Sequence, residues 1–380
     1  DGAHLYVTFG QAQGTVGVVE VASGKVAATI PVGHTPVAPV VSPDGKRLYV
    51  CNRFHNNVSV VDLAAKKEIA KAPATREPIA AAITPDGKTL LVANLLSTDR
   101  GDSYDVAALV TLIDTATNQP ASIRLPNGST GLHGIAVSPD GKHAYVSHIL
   151  ARYQMPTTQL ERGWMNTNAL SIIHLPSASL YNTVLLDHVD LGAANPWGIA
   201  CGKDGTILAI AQAGSNDISI IDRTALHAKL AKVEEGETVS QAVATPEDVP
   251  NDLSFLSGCR TRIPCQGKGP RGILIVDSTV YFTEYFSDSL GFIGLNSLPY
   301  QTQTMPLGPS YPLTSVRQGE MFFHDASLCF QQWQSCASCH PANAGSDGLN
   351  WDLLNDGVGN PKNSKSLLLS HQTPQAMSTD

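Results

Sequence analysis

Over residues 1–312, apolar and polar positions alternate in short runs, and the runs recur as one unit. Ser42-Pro43-Asp44-Gly45 precedes RLYVCN, Thr84-Pro85-Asp86-Gly87 precedes TLLVAN, and Ser138-Pro139-Asp140-Gly141 precedes HAYVSH. Degraded copies stand at Lys203-Asp204-Gly205, before TILAIAQ, and at Asp277, before STVYFTEY. Each unit runs apolar strand, Pro-Asp-Gly turn, apolar strand, polar loop and a third strand ending in Asp, as in VSVVDLA. Pro presets φ and Gly supplies the positive φ that a tight turn needs. Short strands repeating at about 42 residues predict a β-propeller. Turns at Asp1, Asp44, Asp86, Asp140, Asp204 and Asp277 make six to seven blades, with seven favoured. The seventh is expected upstream of Asp1, whose Asp-Gly reads as the tail of a turn, or between Thr224 and Gly269.

The repeat also predicts where a site would lie. The innermost strand opens on Val37, Ile79, His133, Trp197 or Arg271, and the second strand ends on Asn52, Asn94, His148, Gln212 or Glu284. These strands are antiparallel neighbours, so the two positions meet at one face. That pairs His133 with His148, Trp197 with Gln212 and Arg271 with Glu284 around one mouth of the central channel. The insertions Leu95 to Val106, Ile149 to Asn168 and Thr224 to Gly269 are expected on the same face, where binding loops gather. Arg271 and Glu284 read as a salt bridge, and Trp197 as channel packing or a stacking platform. His133 and His148 offer two imidazoles to a metal, with no third ligand in evidence.

From Val316 the period-2 pattern stops. Arg317 to Asp325 reads as a helix with an apolar stripe, and Leu307 to Pro312 as a linker broken by Gly and Pro. The expected organisation is mainly β: a β-propeller over 1–312, then a small α-helical cytochrome c-type domain over 313–380. The reason for the second half of that reading is Cys336-Ala337-Ser338-Cys339-His340. Cys-x-x-Cys-His attaches c-type haem, the thiols adding to the vinyl groups and the His becoming the proximal iron ligand. Trp333 and Trp351 are expected to pack the macrocycle. His371 and Met377 are candidate sixth ligands, and the choice between an open and a filled sixth position separates peroxide chemistry from electron transfer.

Charge and cysteines narrow the setting. A net charge of −8 without a Lys/Arg run argues against nucleic acid as a partner. No apolar stretch is long enough to span a bilayer. Cys259 and Cys265, in CRTRIPC, are expected to close a small disulfide, while Cys51 and Cys201 sit in strand patterns as buried thiols. Haem c is attached after export, so a periplasmic or otherwise exported bacterial protein is expected, its leader removed or left out of the sequence.

Two resemblances follow from these residues. LYVTFG at Leu5 to Gly10 and the Pro-Asp-Gly units resemble the YVTN-type propeller repeat. R-x-G-E-x-x-F-H-D, S-C-A-S-C-H and the later N-S-x-S-L segment resemble the first haem domain of dihaem cytochrome c peroxidases, in fusions behind such a propeller. The second resemblance implies a peroxidase-like oxidoreductase acting on hydrogen peroxide, with electrons from a second haem on a further domain or from a partner protein. Calcium between domains is also implied, and the Asp and Asn side chains of residues 347–363 are its candidate ligands. The sequence departs from that family by having one Cys-x-x-Cys-His and by placing Asn355 near the usual distal His. Two other functions stay open: a non-catalytic electron carrier docking its redox partner through the propeller, and a ligand-binding propeller with a subordinate haem.

Overall fold

In the computed structural model, residues 2–155, 165–309, 311–341, 345–352 and 359–372 are described. The repeat folds into six antiparallel sheets over residues 4–31, 36–73, 78–124, 129–185, 196–264 and 270–306. The first sheet has three strands and the other five have four, each running in chain order from the axis outward. Innermost strands pack on one another from blade to blade, and apolar clusters such as Leu91, Val110, Leu132 and Val146 fill the space between neighbouring blades. The fold is therefore mainly β, a six-bladed propeller.

The count is six and not the favoured seven. Segment 224–269 builds no blade of its own: it supplies helix α1 (Arg223–Glu234), a 3-10 turn at Pro246–Asn251 and the outer strand of blade five, Arg260–Pro264. That insertion also departs from the expected face. It leaves after Asp222, beside the Pro-Asp-Gly turns, where Arg223 reaches Gly205 O at 2.9 Å. It then climbs the outer edge to Arg152, which donates to Asn251 at 3.0 Å. The strand within it also rules out the Cys259–Cys265 disulfide. The two thiols are free, at opposite ends of Arg260–Pro264. Extended backbone at about 3.3 Å per residue holds them far beyond the reach of an S–S bond. Cys51 and Cys201 are thiols as expected, and burial pushes them up to about 12 and about 11.

The Pro-Asp-Gly turns work by one device. Ser42, Thr84 and Ser138 donate their hydroxyls to Asp44, Asp86 and Asp140 at 2.5, 2.6 and 2.5 Å. Those hydroxyls hold the carboxyls of Asp44 and Asp86 below the usual range. The same carboxylates accept the backbone N–H two residues on, and Gly45, Gly87 and Gly141 take φ of 70°, 72° and 67°.

At the other face the registers come out as the repeat implies: Pro36 pairs with Asn52, Pro78 with Asn94, Pro196 with Gln212 and Pro270 with Glu284. The second-strand residues, however, turn into their own blades. Asn52 accepts from Gly33 N at 2.8 Å and donates to Ser59 at 2.8 Å. Gln212 donates to Ser219 at 2.7 Å. Glu284 accepts from Gly267 N at 2.7 Å and Ser289 at 2.6 Å, so it is a buried hub and not the partner of Arg271. His148 donates Nδ1–H to Ile149 O at 2.9 Å and pairs Nε2 with the Ser171 hydroxyl at 2.7 Å. With both ring nitrogens used, it cannot share a metal with His133, and no group of three ligating side chains exists among the described residues.

Residues 313–372 form no separate α-helical domain among the described residues. They comprise α2 (Ser315–His324), short 3-10 turns, the single turn α3 (Cys336–Cys339) and one two-stranded pairing, laid on the propeller. No helix there or elsewhere among the described residues is long and apolar enough to cross a membrane.

The hub reading makes a prediction. Asn52→Leu strands the Gly33 N–H and removes the amide that donates to Ser59 Oγ, and urea unfolding is expected to lose about 1–3 kcal/mol. Stability equal to the wild type would refute the hub.

Candidate functional site

One helical turn presents Cys336 and Cys339 on the same side, because residues three apart are neighbours on a helix. Ser335 opens the turn by donating its N–H to Ser338 Oγ at 3.0 Å, and His340 N closes it on Cys336 O at 3.0 Å. Both thiols are free, Cys336 exposed and Cys339 half-buried, its thiol pushed up to about 12 by burial. His340 Nδ1 lies 3.1 Å from Gly345 O. A carbonyl only accepts, so Nδ1 carries the proton and Nε2 keeps its lone pair for another partner. Cys336, Cys339 and His340 are the residues able to hold a cofactor here.

The turn is positioned by a buried polar junction that sequence reasoning did not find. Asp187 accepts from Asn168 N at 2.6 Å, Asn168 Nδ2 at 2.8 Å and Ala193 N at 2.7 Å. Asn168 passes the order on, donating to Trp333 O at 3.2 Å and accepting from Asn195 N at 3.0 Å. Asn195 then grips the turn, donating to Ser335 Oγ and accepting from Ser338 Oγ, each at 2.7 Å. Asn166 donates to Cys339 Sγ at 3.3 Å and Gln334 at 2.8 Å. Gly192 gives the backbone room: its N–H reaches Gln331 O at 2.8 Å, and an added Cβ would lie 2.3 Å from Trp333 Cα. Only the Asn-rich run of Asn166 and Asn168 hinted at this in sequence, since buried amides and surface amides look alike there.

The expected channel mouth divides in two. His148, Gln212 and Glu284 are interior hubs, whereas His133, Trp197 and Arg271 line a cavity of about 120 Å³. Their rings stack. His133 lies on Trp197 with centroids 3.7 Å apart and planes 12° from parallel. Arg271 sits 4.4 Å from the Trp197 centroid and 3.7 Å from that of Tyr285. Helix α2 covers this mouth with Glu320 and His324, and Ala337 and Pro341, beside the cysteines, complete the wall. Burial and the Arg271 charge push both imidazoles down, His324 to about 4. Tyr285 was not among the expected site residues; it follows a strand whose packing the sequence does not reveal.

The remaining candidates separate. Trp333 is buried against Gly192, and Trp351 is buried beside Cys339, Met165 and Leu349. His371 is exposed in a 3-10 turn at Ser370–Gln372. Met377 and Asn355 lie outside the described residues. Asp347, a candidate calcium ligand, spends one oxygen on the Trp351 indole at 2.8 Å and the other on Leu349 N at 3.0 Å and the Ser364 hydroxyl.

Fold and site define a six-bladed β-propeller carrying a Cys-x-x-Cys-His turn over its channel mouth. No protein-family model matches the chain. A stretch of 113 residues, 30% of this chain, is 28% identical to hydrazine synthase subunit beta of Kuenenia stuttgartiensis and covers 29% of that protein. Another of 50 residues, 13% of this chain, is 46% identical to hydrazine synthase subunit gamma of the same organism and covers 14% of it. The chain therefore matches less than a third of the length of either curated relative. In three dimensions it is similar to a chain of Kuenenia stuttgartiensis hydrazine synthase, with a TM-score of 0.53 and 25% identity, over 77% of this chain and 93% of that one. The β-propeller domain of Cps50 (Swd1) from Myceliophteria thermophila, at 13% identity and a TM-score of 0.53 over 81% and 84% of the two chains, shares the fold alone. These likenesses carry the propeller and a relation to hydrazine synthase subunits; they do not carry the YVTN-type or peroxidase resemblance.

Two outcomes follow from the junction. Gly192→Ala forces Trp333 off the propeller and is expected to expose the turn to limited proteolysis; a wild-type digestion pattern would refute that. Burial raises the Asp187 carboxyl from 3.8 to about 6. Its ionisation thus costs nothing below about pH 4, costs progressively more between pH 4 and 6, and costs the full amount above. Relative to the wild type, Asp187→Asn is expected to gain stability as pH rises across that window, and a difference independent of pH would contradict it.

Proposed function

We propose that this chain is a haem-bearing redox component of an exported multi-subunit enzyme. Cys336 and Cys339 would hold haem c, with His340 as the residue offered to its iron, and the propeller is the platform. The observation that carries the reading is His340. Its Nδ1–H is committed to Gly345 O, the arrangement that orients a ligating imidazole and raises its basicity. Two unoxidised thiols one helical turn apart supply the rest of the donor set. Bound there, the haem supplies one-electron iron chemistry, and peroxide activation where the sixth position is open.

The chain's own residues then have definite tasks. Asn166 and Asn195 fix the thiols and the turn, so attachment meets a preset geometry. Trp333 and Trp351 exclude water from the inner side. The imidazoles of His133 and His324, at the mouth, stay neutral near neutral pH and offer hydrogen bonds there without adding charge. Within this reading we take a peroxidase-like oxidoreductase as the finer function, with a second haem or a partner protein as electron donor. Support for a complex comes from the relatives, which are named as subunits beta and gamma of one enzyme. Their substrate is not carried over.

Export with the haem-attachment machinery followed by a pyridine haemochrome assay tests the core claim. One covalent haem per chain is expected, with complete loss in the Cys336→Ala/Cys339→Ala double variant. A chain that stays haem-free would end this reading. A high-spin ferric spectrum that changes within seconds of adding peroxide is the expected result for the finer function. A low-spin spectrum indifferent to peroxide would replace it with electron transfer.

A further inference from the structure

The cations at the channel mouth are unequally matched. Arg53 gives Nε and Nη2 to Glu77 at 3.0 and 2.9 Å. Glu320 is held by Arg317 at 2.9 Å and accepts the Tyr285 hydroxyl at 3.3 Å. Arg271 has no salt bridge among the described residues, since Glu284 is turned inward. Aromatic rings pack against it, Trp197 with its centroid 4.4 Å away and Tyr285 with its centroid 3.7 Å away. The N–H donors of a guanidinium lie in its plane, so an acceptor must meet it along an edge. Arg271 Nε is buried with no hydrogen-bond partner, and so is His133 Nδ1. Both residues line the same cavity. Buried polar nitrogens are seldom left unpaired, and two that line one cavity suit a shared bound partner.

We infer that this cavity is an anion site, in which Arg271 and His133 hold one carboxylate-sized oxyanion. A volume of about 120 Å³ has room for a carboxylate but not for an extended organic acid. The low-lying imidazole of His133 stays neutral beside the guanidinium, so it donates a hydrogen bond without adding charge. The carboxylate has two sources. It is a small diffusible carboxylate, or it is a propionate of the haem, since Ala337 and Pro341 flank the same space. The second source rests on the haem reading above.

The haem-loaded full chain, its haem content fixed by pyridine haemochrome, is titrated with sodium formate by calorimetry at constant ionic strength, with chloride as control. Saturable formate binding, weakened at least tenfold in both Arg271→Gln and His133→Phe and largely kept in Arg271→Lys, establishes the diffusible source. No formate binding, with a haem midpoint potential lowered in Arg271→Gln and restored towards wild type in Arg271→Lys, establishes the propionate. Formate binding untouched by both losses of function, or no binding together with an unmoved potential, overturns the site. If the chain proves haem-free, the haem reading fails by itself. The formate titration then decides the site alone.

Discussion

The seating of the cysteine turn at the channel mouth depends on one buried carboxylate. Asp187 gathers three N–H donors, two of them from Asn168, and so fixes the one side chain that reaches across to Trp333 and Asn195. From Asn195 the order passes to Ser335 and Ser338, the two serines that bracket and cap the cysteine turn. Such a network is worth having only when complete, because each unpaired member would sit in low dielectric at full desolvation cost. Its hydrogen bonds are what seat a tail of short helices and turns on the propeller.

The propeller divides labour between two neighbouring strand positions. Residues ending the second strands satisfy backbone and hydroxyl groups inside each blade, as Asn52, Gln212 and Glu284 do. That leaves the first-strand positions free of structural duty. His133, Trp197 and Arg271, from three successive blades, use the freedom to stack across blade boundaries. Stability and site chemistry are thus carried by different side chains a few ångströms apart. A blade's identity at the mouth can change without loss of its hub.

Helix α2 ties the two halves together. Arg317 stacks 4.0 Å from the Tyr285 centroid and donates to Tyr285 O at 2.5 Å, extending the column of rings and guanidiniums from blade four into the tail. The propeller and the cysteine turn share one cavity wall, so neither is complete at that face without the other.

The sequence by itself determined the repeat, the turns, the strand registers and the Cys-x-x-Cys-His spacing, because all of these are local. Period-2 alternation sets which face a strand buries, Pro-Asp-Gly sets the turn, and three residues of helix set two thiols on one side. What it left open was long-range. Six blades formed where seven were favoured, because the 224–269 stretch became a helix and an outer strand under packing that no local pattern encodes. Arg271 chose rings over Glu284, His148 turned inward, and a five-residue strand held Cys259 from Cys265. Each outcome depended on which of several available partners lay nearest once blades had packed. That choice belongs to tertiary structure, since a buried polar group takes the partner that packing brings to it.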